Sequence, residues 1–353
     1  MTLKELSEVI PVSRGTIDRV LHGRGNVSDK SKALVLNALQ EYGYVPNKAG
    51  TALAAIKKSY KIGLVLFKGR DLFNSVITSG VEQSFEHFKD YGFQLFKETV
   101  DNEMPDVQRE AILRMAAQGM DAIIFCPLVS PVIRDAIQKL SKQGVLVLAV
   151  NSDIENSDRF CFVGHNNYQS GRAAASLAAS IIGGRGNVLI AAGLQKFESH
   201  VHRLEGALSF FNKDAHEVDI VGIIWDSPDK IGENIKNATK DHQVDVILVL
   251  STYTKEVIDA LEDMELTDRV KVGVFDLNNS NAQYLKTNRI NFIIDQQPIL
   301  QGQMAMDIIG NYLISRQRPE SGALYTKTTI IIKENLDDYL GDLGFMPVVD
   351  KQA

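Results

Sequence analysis

An α/β protein with a small all-α domain at its N terminus is expected from three features of the sequence. The first 45 residues contain three helical patterns and almost no strand pattern. From Tyr60 onward, apolar runs of strand length alternate with amphipathic helical segments. This alternation occurs as two successive series, which predicts two lobes, each with a parallel sheet flanked by helices on both faces.

The N-terminal helices have clear start and stop residues. Thr2, Ser13 and Ser28 are placed to cap the first, second and third helix, and Pro11 ends the first. The apolar residues expected to face inward are Leu3, Leu6 and Ile10, then Ile17, Val20 and Leu21, then Ala33, Leu36, Leu39 and Tyr42. Two short helices separated by a tight break and braced by a third form a helix-turn-helix pattern.

The next segment, residues 46–59, is predicted to be a hinge helix or linker. It begins with PNKAGTALAA, in which Asn47 is placed to cap a short helix. That helix has little apolar surface to bury and contains Gly50, so it should be marginal on its own.

The core strands end in residues suited to ligand binding. The first series is KIGLVLF, FQLFKETV, DAIIFCP, VLVLAVN and FCFVG, with helices near 75–91, 105–118 and 130–143. The second series is NVLIAAG, DIVGIIW, VDVILVL, VKVGVFD and INFIIDQ. Ligands bind at the carboxyl ends of strands in open α/β sheets. The residues at such strand ends are Asn151, Trp225, Ser251, Asp276 and Gln296.

Charge is distributed unevenly along the chain. Residues 1–61 hold ten Lys or Arg against five Asp or Glu, a balance of +5, which leaves −11 for the rest of a chain whose net charge is −6. A basic head on an acidic body favours a nucleic-acid partner for the head. Two cysteines in apolar runs, no apolar run of membrane-spanning length and no signal-peptide pattern predict a cytoplasmic protein without disulfides.

Two stretches of the head match known family patterns. Residues 12–22 are VSRGTIDRVLH and residues 44–54 are YVPNKAGTALA. They resemble V-S-x-x-T-V-S-R-V-L-N, the recognition helix, and Y-x-P-N-x-x-A-x-x-L-A, the lead into the hinge helix, of the LacI/GalR (lactose-repressor) family of bacterial transcription regulators. The resemblance implies a homodimer with recognition helices in successive major grooves and hinge helices in the minor groove between them. The DNA-binding residues it implies are Ser13, Arg14, Thr16, Arg19, Asn47 and Leu53.

Five positions of the head depart from the family pattern: Pro11, Gly15, Asp18, His22 and Gly50. Gly15 has no side chain to contact a base, so direct readout should fall on Arg14 and Arg19, the residue type suited to guanine. Asp18 would repel phosphates unless it is paired. We therefore expect an operator that differs from the one usual in the family.

The body resembles the sugar-binding, periplasmic-binding-protein-like (type I) core of the same family. The segments that carry this resemblance are FVGHNNYQSGRAAASLA, SHVHRLEGAL and VGVFDLN with INFIIDQQPILQG. It implies that Arg203, Asp276 and Gln296 bind a sugar-like effector. Further effector-binding candidates, at strand ends or after the first strand, are Asn151, Phe73, Asn74, Trp225 and Ser251. Fixed donors and acceptors beside an aromatic face suit a polyol.

Enzymatic and metal-dependent functions find little support. Phosphate-loop, dinucleotide-binding and nucleophile-elbow motifs are absent from the sequence. The two GRGN segments lack a phosphate-loop lysine and are read as turns. His200 and His202 do not have the i, i+4 spacing of a helical zinc site and are expected at the surface. No metal or cofactor is expected.

The sequence thus predicts a helix-turn-helix DNA-binding domain at 1–45, a hinge at 46–59 and an effector-binding core at 60–346. Lobe 1 is expected over about 60–161 and 297–325, and lobe 2 over about 162–296 and 326–346. The predicted function is that of a transcription regulator, a repressor, whose affinity for double-stranded operator DNA is modulated by a small carbohydrate-like effector. The alternative is a cytosolic sugar-binding protein whose helical head mediates protein interaction. Effector, operator, the sign of regulation and the choice between dimer and tetramer stay open.

Overall fold

The computed structural model of the chain describes residues 3–21, 27–42, 58–68, 73–101, 104–195, 197–215 and 217–341. Most of the predicted hinge at 46–59 lies outside these ranges, and so do Asn47 and Leu53. Within the described ranges the predicted α/β architecture is confirmed, with an N-terminal helical domain and two lobes that are each built on a six-stranded sheet.

The N-terminal domain consists of α1 (Leu3–Val9), α2 (Arg14–Leu21) and α3 (Asp29–Glu41). The caps predicted for α2 and α3 are present. The hydroxyl of Ser13 accepts from the N–H of Thr16 at 3.1 Å, and that of Ser28 accepts from the N–H of Ser31 at 3.2 Å. Each cap satisfies a backbone donor that a helix start leaves without a partner.

The buried face of α3 differs from the predicted one. Val35 and Ala38 are buried against Leu6 and Ile17, with Leu39 partly buried beside them. Leu36 and Tyr42, predicted to face inward together with Ala33, are instead exposed. A domain of three short helices covers only a narrow stripe of each helix, so one of the two apolar stripes of α3 is left outside.

The core strands follow the apolar runs closely. In chain order they are β1 (Lys61–Phe67), β2 (Gln94–Val100), β3 (Ala122–Phe125), β4 (Leu146–Asn151), β5 (Cys161–His165), β6 (Gly186–Gly193), β7 (Val218–Trp225), β8 (Val246–Val249), β9 (Lys271–Phe275), β10 (Phe292–Asp295), β11 (Ala323–Thr326) and β12 (Thr329–Ile331). β11 and β12 were not predicted from the sequence, because they are edge strands of four and three residues with little buried apolar surface.

The core helices lie between these strands. In chain order they are α4 (Phe73–Lys89), α5 (Pro105–Ala117), α6 (Pro131–Lys142), α7 (Asn167–Ile181), α8 (Glu198–Asp214), α9 (Pro228–Asp241), α10 (Thr254–Asp263), α11 (Asn279–Lys286), α12 (Pro298–Ser315) and α13 (Leu336–Leu340). None of the helices in the described part of the chain has the length and apolarity needed to span a bilayer.

The two sheets have the same topology. Their strand orders are β2-β1-β3-β4-β5-β11 and β7-β6-β8-β9-β10-β12. The first sheet is parallel throughout, whereas β12 runs antiparallel to β10 in the second. In each sheet the strand order reverses beside the first strand of the lobe, and the carboxyl ends of strands at such a switch point form the usual ligand crevice.

The chain passes between the two sheets three times within residues 58–341: after β5, after β10 and after β11. All of β5, residues 161–165, belongs to the first sheet, paired with β4 and β11. The first passage therefore follows residue 165, a few residues beyond the predicted lobe boundary at 161/162. The strand continues because Phe162 and Val163 are buried in the lobe 1 sheet.

Paired helices approach closely in both lobes through glycines. In lobe 1, α4 packs on α12, and a Cβ at Gly80 would lie 2.1 Å from the carbonyl oxygen of Ile299. In lobe 2, α7 packs on α8, and a Cβ at Gly171 would lie 2.0 Å from the carbonyl oxygen of Arg203. Such contacts exclude any side chain at these positions and fix the first turns of α4 and α8, which face the space between the lobes.

Candidate functional site

A cavity of about 620 Å³ lies between the carboxyl edges of the two sheets. Its walls come from both lobes: the ends of β1, β3 and β4 with the start of α4 on one side, and the start of α8 with the ends of β9 and β10 on the other. Six of the eight effector-binding candidates line it, namely Phe73, Asn74, Asn151, Arg203, Asp276 and Gln296.

Arg203 is the positive charge in the lobe 2 wall. It lies in the second turn of α8 and is only 3% exposed. Its Nε donates to Oδ1 of Asn167 at 3.0 Å and its Nη1 donates to the carbonyl oxygen of Leu250 at 2.8 Å. The guanidinium also lies 4.1 Å from the ring centre of Phe275. Burial lowers the pKa of Arg203, and the nearby charge of Asp276 opposes that shift. These contacts hold in place a group with five N–H donors, of which Nε–H and one Nη1–H bond to Asn167 and Leu250.

Asp276 and Gln296 form a hydrogen-bonded pair at the ends of neighbouring strands. The Nε2 of Gln296 donates to Oδ1 of Asp276. The Oε1 of Gln296 is buried and has no hydrogen-bond partner among the described residues. A buried acceptor without a partner costs about 1–3 kcal/mol, so this oxygen is suited to accept from a ligand hydroxyl.

The lobe 1 wall offers a second acceptor of this kind. Asn74, in the first turn of α4, donates from Nδ2 to the carbonyl oxygen of Phe67 at 3.1 Å. Its Oδ1 is buried and finds no partner within the described ranges. Asn151 ends β4 with a left-handed backbone, φ 66°, and its Nδ2 lies 3.8 Å from Sγ of Cys126.

Left-handed backbone recurs at the strand ends around the cavity. Besides Asn151, Asp276 has φ 69° and Gln297 has φ 56°. Aspartate and asparagine tolerate this conformation better than most residues, and such backbone concentrates at functional sites. Asn151 ends β4, Asp276 follows β9 and Gln297 precedes α12, so each marks the end of a strand or the start of a helix.

His200 was wrongly expected at the surface. It is 8% exposed, lines the cavity, and accepts the N–H of Leu194 on Nδ1 at 3.1 Å. Burial, followed by the charge of Arg203, lowers its pKa to about 3, so the ring is neutral and carries its proton on Nε2. Its neighbour His202 has a 42% exposed side chain and lies 3.8 Å from Glu198. The α8 face that points to the cavity includes residues 200 and 203, which are three apart on the helix.

Two candidates lie outside the cavity lining. Trp225 ends β7 and packs, partly buried, against the lobe 2 core. Ser251 is fully buried, and it packs so close to Gly193 that a Cβ added to this glycine would lie 2.7 Å from the Cβ of Ser251. The Oγ of Ser251 has no hydrogen-bond partner among the described residues, but it does not reach the cavity.

The sequence analysis missed several residues of the cavity wall. Phe67 ends β1, Phe197 immediately precedes α8 and Tyr253 immediately precedes α10, so with Phe73 four aromatic rings line the cavity. Lys68 and Asp101 lie at its lobe 1 side with exposed side chains, 3.6 Å apart. Phe67 ends a predicted strand run, and Lys68 and Asp101 directly follow such runs, so all three were recognisable from the strand-end rule. Phe197 lies in a loop that no pattern distinguishes.

Two arginines of α2 are exposed in the head. Arg14 and Arg19 are exposed, and the Nε of Arg19 donates to the carbonyl oxygen of Gly15 at 3.1 Å. Ser13 and Thr16 join through their hydroxyls at 3.0 Å at the start of the helix. The side chain of Arg19 therefore lies beside Gly15, which has no side chain to compete for the space.

Within the described ranges no group of three or more His, Cys, Asp or Glu side chains is placed to hold a metal ion.

Comparison with known proteins identifies both parts of the chain. Residues 62–317 match the family model described as periplasmic binding protein domain, and residues 2–47 match that of bacterial regulatory proteins, lacI family. The HTH-type transcriptional regulator AglR of Rhizobium meliloti is 31% identical over 134 residues, 35% of each chain, so this chain spans about a third of that relative's length. Catabolite control protein A of Staphylococcus aureus is 20% identical over 319 residues, 89% of this chain and 92% of the relative.

Solved structures share the fold of the core. A periplasmic solute-binding protein of an ABC transporter from Actinobacillus succinogenes, with bound D-allose, superposes with a TM-score of 0.73 at 21% identity. The match covers 79% of this chain and 100% of that one. Over most of its length the chain belongs to the periplasmic binding protein domain family, and its N-terminal domain belongs to the bacterial regulatory proteins of the lacI family.

Proposed function

We propose that this protein is a sequence-specific DNA-binding transcription regulator, acting as a repressor, whose operator affinity is modulated by a small sugar-like effector bound between the lobes. One observation carries the proposal: a single chain joins a lacI-family head, with Arg14 and Arg19 exposed on α2, to a cavity walled by both lobes. Arginine is the residue type best suited to guanine in the major groove.

The mechanism we propose is a population shift. A ligand that contacts Asn74 from lobe 1 and Arg203 and Asp276 from lobe 2 binds most tightly at one interlobe angle. In a homodimer, that angle sets the separation of the two heads and therefore their fit to two half-sites. Ligand and operator then influence each other's affinity through a shared conformational equilibrium.

The charges of the cavity favour an uncharged ligand. Among the described residues that line it, Arg203 stands near Asp276 and Lys68 stands near Asp101, so positive and negative charges balance. His200 is neutral at physiological pH. The buried Oδ1 of Asn74 and Oε1 of Gln296 can each accept a hydrogen bond from a ligand hydroxyl. A neutral polyhydroxy compound therefore suits the cavity better than a sugar acid or sugar phosphate.

Aromatic rings complete this preference. Phe67, Phe73 and Phe197 line the same cavity. An aromatic face packs against the C–H surface of a sugar while the polar groups take its hydroxyls. We accordingly propose a monosaccharide or an inositol-like polyol as the effector, without any further cofactor and without catalysis. A protein that binds operator DNA in this way works in the cytoplasm.

DNA binding is tested with a randomised pool of double-stranded DNA. Sequences selected by the wild-type protein are measured by fluorescence anisotropy against Arg19→Ala and, as a control of equal charge change, Arg289→Ala on lobe 2. We expect Arg19→Ala to lose about 1–3 kcal/mol of binding free energy, with a shallower salt dependence. Arg289→Ala should bind like the wild type.

Absence of any sequence-selective, salt-dependent complex with the wild-type protein would refute the regulator and favour a head that binds another protein. The effector is tested by calorimetry with uncharged aldopentoses, aldohexoses and inositols, and with glucuronate and a hexose phosphate as anionic comparators. Preference for an anionic compound would contradict the proposed ligand class.

A further inference from the structure

Three segments that connect the lobes meet at one buried side chain. Thr326, at the end of β11, is 6% exposed. Its hydroxyl lies 2.8 Å from the carbonyl oxygen of Gln296, in the second passage between the lobes. It also lies 3.3 Å from the carbonyl oxygen of Gly164 and 3.4 Å from Nδ1 of His165, both just before the first passage. Thr326 itself stands just before the third passage.

The imidazole of His165 extends this cluster. The ring is 2% exposed, and its Nε2 lies 3.3 Å from the hydroxyl of Thr328, which belongs to the third passage. Both ring nitrogens are therefore within hydrogen-bond distance of a threonine hydroxyl. Burial, with a further contribution from the charge of Arg203, lowers the pKa of His165 to about 3, so the ring is neutral.

One set of proton positions satisfies the whole cluster. A neutral imidazole has one donor and one acceptor nitrogen, and each hydroxyl has one donor. The hydroxyl of Thr328 donates to Nε2 of His165, Nδ1–H of His165 donates to Oγ1 of Thr326, and the Thr326 hydroxyl donates to the carbonyl oxygen of Gln296, its shortest contact. The chain of hydrogen bonds thus runs from the third passage through the first to the second.

Gln296 ends this chain and also lines the ligand cavity. Its carbonyl oxygen accepts from Thr326 and from Nε2 of Gln301 at 3.0 Å, whereas its side chain donates to Asp276. The amide oxygen of that side chain is the buried acceptor without a described partner. A ligand hydroxyl that binds this oxygen would therefore contact the residue whose backbone is tied to the other two connecting segments.

We propose that Thr326 and His165 are positioning residues that hold Gln296 for the ligand and link ligand binding to the interlobe angle. This inference rests on the proposed function for its ligand and its operator. The hydroxyl of Thr326 supplies the side-chain link, because removing it breaks the hydrogen bond to the carbonyl oxygen of Gln296 while β10 and β12 stay paired and no group that touches the ligand changes.

The test compares Thr326→Val, which keeps the shape but lacks the hydroxyl, with Thr326→Ser, which keeps the hydroxyl. Thr239→Val is the control, because among the described residues the hydroxyl of Thr239 bonds to the carbonyl oxygens of Ile235 and Lys236 and to the sulfur of Met264. Operator dissociation constants are measured with and without a saturating concentration of the tightest-binding sugar of the panel. The ratio of the two constants reports the link between the sites.

We expect Thr326→Val to reduce this ratio by roughly 2- to 30-fold, the range found for residues that couple two sites. Thr326→Ser and Thr239→Val should keep the wild-type ratio. An unchanged ratio in Thr326→Val, or an equal loss in Thr326→Ser, would overturn the proposal.

A second readout needs neither operator nor sugar. Amide hydrogen exchange of the segment 295–298 should be faster in Thr326→Val than in Thr326→Ser, because the Gln296 carbonyl has lost one of its two donors. Equal exchange rates of this segment in the two variants would overturn the claim that the Thr326 hydroxyl holds the backbone of Gln296. If the wild-type protein shows no effect of any sugar on DNA binding, the proposed function fails, and the exchange measurement still decides the role of Thr326.

Discussion

Replacing Asp276 with asparagine removes one negative charge from the ligand cavity and leaves the size of the side chain unchanged. The backbone at this position has φ 69°, a conformation that asparagine tolerates. The amide oxygen of asparagine can still accept from Nε2 of Gln296, so the contact between the two strand ends survives. The change therefore isolates the contribution of charge to ligand binding.

The expected loss follows from the strength of the hydrogen bond that a ligand hydroxyl makes. A bond to a charged acceptor contributes about 1.5–3 kcal/mol and one to a neutral acceptor about 0.5–1.5 kcal/mol. The difference, about 1–1.5 kcal/mol, corresponds to a loss of affinity of roughly 5- to 13-fold for an uncharged sugar. Arg203 also loses the neighbouring charge that offsets its burial, so the free energy of unfolding should fall.

Isothermal titration calorimetry with the tightest-binding uncharged sugar measures the first effect. The fluorescence of Trp225, the single tryptophan of the chain, follows urea unfolding for the second. Asp263→Asn, at an exposed pair with Lys236 on lobe 2, is the matched control and should change neither quantity.

Asp276→Asn should also change the selectivity of the cavity between uncharged and anionic ligands. Asp276→Asn makes the balanced cavity positive, so the affinity for glucuronate should rise while that for the uncharged sugar falls. Wild-type affinity for the uncharged sugar in Asp276→Asn, or an equal loss for both compounds, would refute the assignment of Asp276 as a charged acceptor for the ligand.

Two further changes test the packing and the titration of the core. Gly171→Ala places a methyl group 2.0 Å from the carbonyl oxygen of Arg203, so α7 and α8 must separate; we expect a loss of about 1–3 kcal/mol of stability and weaker sugar binding. Gly232→Ala, where the nearest atom is at 3.4 Å, should instead keep wild-type binding and stability in the same calorimetric and urea experiments, and equal behaviour of the two variants would contradict the packing argument. His165 and His200 have pKa values of about 3 in the folded protein, below the ordinary 6.5. Above pH 6.5 they are neutral in both the folded and the unfolded chain and do not change the free energy of unfolding. As the pH falls from 6.5 toward 3, only the unfolded chain binds these protons, so the fold is progressively destabilised. Each histidine should lower the free energy of unfolding by on the order of 2 kcal/mol between pH 7 and pH 5. If His165→Gln showed the same pH dependence of stability as the wild type, this histidine would not titrate as described.

Much of the core could be predicted because its strands are continuous apolar runs. Parallel strands covered on both faces leave no room for polar residues until they end, so a polar residue after such a run marks the edge of the sheet. Asn151, Asp276 and Gln296 were recognisable for this reason, and all three line the cavity. Arg203 came from the family resemblance alone, since no periodicity distinguishes it from other helical arginines.

The errors arose where position depends on tertiary neighbours. Trp225 ends a strand like the others, but its ring packs against the lobe 2 core, a contact that the sequence does not reveal. His200 looked like a surface residue because the orientation of α8 is set by its close contact with α7 through Gly171. The buried face of α3 was misassigned because two apolar stripes were available and only packing chooses between them.

The proposed regulation is tested most directly by measuring the dissociation constant of the tightest-binding sugar with and without saturating operator DNA. Thermodynamic linkage requires that operator change the affinity for the sugar by the same factor by which the sugar changes the affinity for operator. We predict equal factors, in the range of roughly 5- to 150-fold. A sugar dissociation constant that is identical in the presence and absence of operator would contradict the claim that the cavity controls DNA binding.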